Sequence, residues 1–167
     1  MLDTPVDSLY AWLGVAAVAT AALGTAFGLP TAPPPDATAA ANVVDRVAAA
    51  EPPAAAEVRL AADRATVGPR GVVLRSDAGV AHAPFAFDSV VAAGSHDQLV
   101  SVARGEPPSA AFGSSAAFAD AVRTSRTGDR AADAVSWSSA SAGGPTATLF
   151  VAHVAWGDTE VTLVHVE

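Results

Sequence analysis

The apolar positions of this chain fall into three patterns, one after another. Residues 9–29 form an unbroken uncharged run, LYAWLGVAAVATAALGTAFGL, and no Asp, Glu, Lys, Arg or His lies between Asp7 and Asp36. As a helix at about 1.5 Å per residue this run measures roughly 30 Å, the thickness of a bilayer's hydrocarbon core. The pattern therefore predicts a transmembrane helix. Its anchor residues would be Leu9, Tyr10, Trp12, Leu13, Val15, Val18, Leu23, Phe27 and Leu29, with Tyr10 and Trp12 at the interface. Pro30 and Pro33–Pro35 stop a helix and make a stiff tether over 30–35, after a short acidic flank at 1–8.

From residue 36 onward the periodicity changes. Asp36 is placed to cap a helix over Ala37–Ala50, with Val43, Val44 and Val47 on one face. Ala56–Ala62 alternates as a strand, and Val67–Gly71 reads as a turn. Gly71–Arg75 and Gly79–Ala83 flank Ser76-Asp77-Ala78 as a hairpin, and Phe85–Ala92 reads as a further strand. The middle turns helical at His96–Arg104, capped by Ser95, and at Ala116–Arg126, capped by Ser114 or Ser115. The third pattern is β: Ala134–Ala140, then Thr146–Trp156 and Thr159–Val166 joined by the two-residue turn Gly157-Asp158. This order predicts an α+β fold: an N-terminal transmembrane helix followed by a small domain over 36–167, with a mostly antiparallel sheet and two to three helices.

Two other readings of the 9–29 run are a cleaved signal peptide and a buried core helix. The flank MLDTPVDS carries two acids and no base, unlike a secretory n-region, and 21 uncharged residues are long for a core helix. Arg46 is the first basic residue beyond the run, which by the positive-inside rule leans towards a cytoplasmic C-terminal domain.

Composition narrows the function classes. All 9 basic residues are Arg, 17 residues are acidic, and the net charge is −8. Such a balance argues against nucleic-acid binding, which needs a basic stripe. With no Cys, disulfides, thiolate metal sites and thiol catalysis are excluded. The acidic, Lys-free, Ala- and Val-rich composition resembles that of proteins from salt-loving archaea, whose acidic surfaces stay hydrated in concentrated salt.

Candidate chemistry is thin. The four histidines are His82, His96, His153 and His165. If Trp156 pairs with Thr159 across the final turn, His153 faces Thr162 and His165 faces Phe150, which puts the two histidines on opposite faces of the hairpin and unable to share a metal. No HExxH, G-x-S-x-G or Walker spacing occurs, and the acids from Asp129 to Asp133 lack Ca-loop spacing. No catalytic, cofactor-binding or metal-binding residue is therefore assigned, and no cofactor is expected. Trp137 and Trp156, on strands expected near each other, are either core residues or a possible protein interface.

The opening Met1-Leu2-Asp3-Thr4-Pro5-Val6-Asp7, the Trp12-Leu13-Gly14 start of the run and its Leu29–Asp36 exit resemble a family of uncharacterised haloarchaeal single-pass membrane proteins associated with type IV pilus-like or secretion-like machinery. That resemblance implies a non-catalytic, membrane-anchored accessory component of a cell-surface assembly. Its partners would be the lipid bilayer and other membrane or surface-assembly proteins, and its C-terminal domain would be extracellular. A pilin precursor carries a basic residue and Gly before its apolar segment; here that position reads Asp7-Ser8-Leu9. The alternative is a membrane-tethered ligand-binding or sensor domain, recognisable by an apolar pocket with a few convergent polar groups.

Overall fold

The computed structural model describes Val18 and residues 34–94, 96–127, 135–138 and 146–167. The chain divides into two compact units, Met1–Pro33 and Pro34–Glu167. Of the first, only Val18 is described: it is helical and exposed. The other expected anchor residues, Leu9, Tyr10, Trp12, Leu13, Val15, Leu23, Phe27 and Leu29, lie outside the described residues.

Two parts of the expected fold class are corrected. Among the described residues no helix is long and apolar enough to cross a membrane. The longest, Ser115–Thr127, has 13 residues and carries Asp120, Arg123 and Arg126, so at about 1.5 Å per residue it is too short as well as too charged. The second correction concerns the sheet. The domain is α+β, but its strands form two four-stranded sheets where one was expected.

Helix α1, Ala37–Ala48, begins where expected, because the Asp36 carboxylate accepts a hydrogen bond from the Ala39 N–H at 2.8 Å. Strands β1 (Ala54–Ala61), β2 (Arg64–Gly68), β3 (Gly71–Ser76), β4 (Gly79–Pro84) and β5 (Val90–Ala92) follow. Helices α2 (Asp97–Ala103), α3 (Pro108–Ala111) and α4 (Ser115–Thr127) come next, then β6 (Val135–Ser138), β7 (Thr146–Trp156) and β8 (Thr159–Val166). Ser114 caps α4, its hydroxyl accepting from the Ala117 N–H. At α2 the cap position is His96, with no side-chain capping bond, and the expected cap Ser95 lies outside the described residues.

The first sheet runs β1-β7-β8-β5, antiparallel except for the parallel pair β5–β8. The second runs β4-β3-β2-β6 and is antiparallel throughout. Period-two alternation gives the first sheet two apolar faces. One face carries Leu149, Val151, Val164 and Val166, and it shares a core with Val44 and Val47 of α1 and with Val67, Val72 and Leu74 of the second sheet. Helix α1 thus touches strands of both sheets, which explains why its Ala37, Ala40, Ala41, Val44 and Val47 are all buried. The opposite face, Val154, Val161 and Leu163, packs under Leu99, Val102, Phe112, Phe118 and Val122 of the α2–α4 segment.

Candidate ligand-binding cleft

An open cleft of about 870 Å³ lies where the second sheet, β5 and the end of α4 come together. The β2–β3 turn, Gly68-Pro69-Arg70-Gly71, forms one rim. The turn is held tightly. A Cβ on Gly71 would stand 2.4 Å from the carbonyl oxygen of Ala83, so only glycine lets β3 approach β4 there. The Phe85 N–H also bonds to the Arg70 carbonyl oxygen at 2.9 Å, which joins the turn to the end of β4.

The remaining walls come from distant parts of the chain. Strand β4 contributes His82, whose cross-strand neighbour is Val73. The segment leading into and through β5 contributes Asp88 and the apolar floor of Val90, Val91 and Ala92. The last turn of α4 brings Ser125 and Arg126. Arg70, Arg126, His82 and Asp88 are all exposed, and among the described residues neither arginine makes an ion pair. Arg126 also borders a smaller cavity of about 240 Å³, beside Asp158 and Glu160. The Thr66 hydroxyl, on the cleft wall, lies 3.3 Å from that of Ser136 on β6.

The other histidines are elsewhere. The register of the final hairpin is the expected one: Trp156 faces Thr159, His153 faces Thr162 and Phe150 faces His165. His153 is therefore on the α1 side of the first sheet and His165 on the α2–α4 side, and they share no site. His153 is 3% exposed and both its ring nitrogens have partners, Thr162 Oγ1 at 2.8 Å and Glu160 Oε1 at 3.2 Å. His165 is half-buried, its Nδ1 has no hydrogen-bond partner, and burial first and the Arg104 guanidinium second lower its pKa. His96 packs against the Phe112 ring, 6.0 Å between centroids. Among the described residues no three His, Cys, Asp or Glu stand close enough to hold a metal ion.

Trp137 and Trp156 are in different sheets. Trp137 on β6 is 7% exposed in the core shared with α1, whereas Trp156 packs under α4, with its ring 6.0 Å from that of Phe118. The two rings therefore do not form one aromatic patch.

Sequence reasoning did not single out Arg70 or Arg126 for this cleft. Arg70 sits in a segment read as turn punctuation, and Arg126 reads as a base favoured at a helix C-terminus. The one local signal was a cation inside a tight Gly-Pro turn, and nothing local could say what faces it.

Residues 3–143 match the model of a family of unknown function, DUF7283. No curated protein and no solved structure matches the chain.

Proposed function

The chain belongs to this family, and we propose that its folded domain is a non-catalytic binding module that takes a small ligand in the cleft bounded by Arg70, His82, Val90 and Arg126. One observation carries this reading: an apolar floor and a few convergent polar side chains, contributed by separate elements, meet in a space of ligand size. Small-molecule sites have that composition and commonly measure roughly 300–1,000 Å³. The hydroxyl–imidazole pair of Thr162 and His153 is locked in the core with Thr162 0% exposed, out of reach of a substrate in the cleft.

The test is retention without conversion. The full chain is incubated with a metabolite extract, separated from free compounds by gel filtration, and its bound fraction identified by mass spectrometry over time. A compound retained unchanged, and displaced when the half-buried Val73 is replaced by Glu in a variant that keeps its fold, supports the binding role. Time-dependent conversion of the compound, or retention indifferent to that substitution, overturns it.

A place as an accessory component of a cell-surface, pilus- or secretion-like assembly rests on the sequence resemblance carried by the first 36 residues. Co-purification of the tagged chain with such assembly components tests it. A protein recovered only as a monomer, free of those components, counts against it.

A further inference from the structure

The chemistry of the cleft narrows the ligand. We infer that it recognises a small molecule with an oxyanion head, a carboxylate or a phosphate, carried on a short apolar body. This deepens the binding role proposed above and rests on it.

Charge supports the head. The chain as a whole carries −8, yet this cleft is bordered by two arginines from elements far apart in sequence, against the single acid Asp88 among the described residues. Neither guanidinium is neutralised by an ion pair among the described residues. A guanidinium offers a planar fork of N–H donors that fits a carboxylate or phosphate with two parallel bonds. The end of α4 cannot supply this attraction, because a helix C-terminus is the negative pole of its dipole. The anion's partner there has to be the Arg126 side chain, with Arg70 also bordering the cleft.

The floor specifies the body. Val72, Val73, Val90, Val91 and Ala92 border the cleft as aliphatic residues, Val73 half-buried and the others buried, and among the described residues no Phe, Tyr or Trp lines it. Without a ring on which a base could stack, a nucleotide would lose the contact that usually holds its base. An aliphatic chain or a small saturated body loses nothing there.

The experiment compares three probes with one body and different heads: hexanoate, hexyl phosphate and hexanol. The isotope-labelled full chain is titrated with each, and amide shifts of Gly68, Gly71 and Ala92 are followed by NMR. Saturable shifts are expected with one or both anions, at least about tenfold tighter than with hexanol, since a hydrogen bond to a charged group adds roughly 1.5–3 kcal/mol and 1.4 kcal/mol is a factor of ten. Which anion binds identifies the head. Arg70→Gln and Arg126→Gln are each expected to remove most of that preference while leaving distant signals unmoved, because both side chains are exposed and support no core packing. If hexanol binds as tightly as the anions, or both variants keep the preference, the oxyanion inference fails and the binding role stands. If no probe moves the cleft signals, both fail.

Discussion

Across the β7–β8 ladder, the Nδ1 of His153 lies 2.8 Å from the hydroxyl of Thr162, the residue directly opposite it. On the far side of the ring, Nε2 lies 3.2 Å from a Glu160 carboxylate oxygen. A carboxylate can only accept, so Nε2 carries the proton; in the neutral ring Nδ1 then accepts from the Thr162 O–H. This imidazole sits in a core without an unmet polar atom, which is the condition for burying it at little cost.

Replacing Thr162 with Val keeps the shape and removes the donor. The buried Nδ1 then has no partner, and the chain is expected to lose about 1–3 kcal/mol of stability. Chemical denaturation of Thr162→Val against the parent chain measures this. The double variant His153→Leu with Thr162→Val is expected to recover part of the loss, because no polar atom is then stranded. A Thr162→Val variant as stable as the parent would mean that the bond contributes nothing net.

His165 is the contrasting case. It faces Phe150, whose ring is also approached by Arg104 at 6.0 Å, and Arg104 pairs with Glu167. Burial and then Arg104 hold its pKa below the ordinary 6.5. Well above pH 6.5 neither the folded nor the unfolded state is protonated at this residue, so it adds no pH dependence. As pH falls from about 6.5 towards the lowered folded value, the unfolded chain takes up a proton that the folded chain refuses, and stability falls; below that value the loss levels off. Denaturation midpoints of the parent and of His165→Gln between pH 8 and pH 5 isolate this contribution, since the carboxylates titrate in both. The parent is expected to lose more stability across the window, and parallel curves would contradict the depressed pKa.

Asp36 is worth testing because α1 is the element on which both sheets rest. Asp36→Ala removes the carboxylate that accepts from the Ala39 N–H and is expected to cost about 0.5–2 kcal/mol. Since the buried face of α1 belongs to the core shared by the two sheets, the loss should lower the single unfolding midpoint of the domain and not merely fray one helix. Hydrogen exchange at Ala40–Val44, compared with exchange in β3, checks this: the two should quicken together.

Gly71→Ala places a methyl group 2.4 Å from the Ala83 carbonyl oxygen, a backbone atom that cannot swing away. Relief requires parting β3 from β4, at an expected cost of about 1–3 kcal/mol, the usual range for overpacking. The same movement would open the cleft rim, so ligand binding should weaken along with thermal stability. A stable Gly71→Ala protein with unchanged amide shifts in β4 would argue against so close an approach.

Local chemistry was legible before any tertiary structure. Asp36 announced α1, and Gly157-Asp158, flanked by β-branched runs, announced β7 and β8 with their ends at Trp156 and Thr159. From that turn alone, period-two geometry put His153 opposite Thr162 and His165 on the other face. Segments whose pairing is distant were less legible. Phe85–Ala92 reads as one strand, but only Val90–Ala92 pairs, and it does so in parallel with β8. The pattern assigns no element to Arg64–Thr66 and reads Val67-Gly68 as the start of a turn, yet Arg64–Gly68 is β2, an inner strand of the second sheet, with Ala65 and Val67 fully buried. Pro108–Ala111 falls between the two helices expected in the middle of the chain, and it makes the short α3.

The sequence by itself determined helix caps, hairpin turns and strand faces, because each depends on residues within a few positions of one another. Only the tertiary structure decided that the strands divide into two sheets, that α1 serves both, and that Arg70, His82 and Arg126 border one cleft. The physical reason is that alternating apolar residues specify a buried face but not the surface that buries it. An inner strand of either sheet carries the same pattern, and the choice between them is made by packing among parts of the chain far apart in sequence.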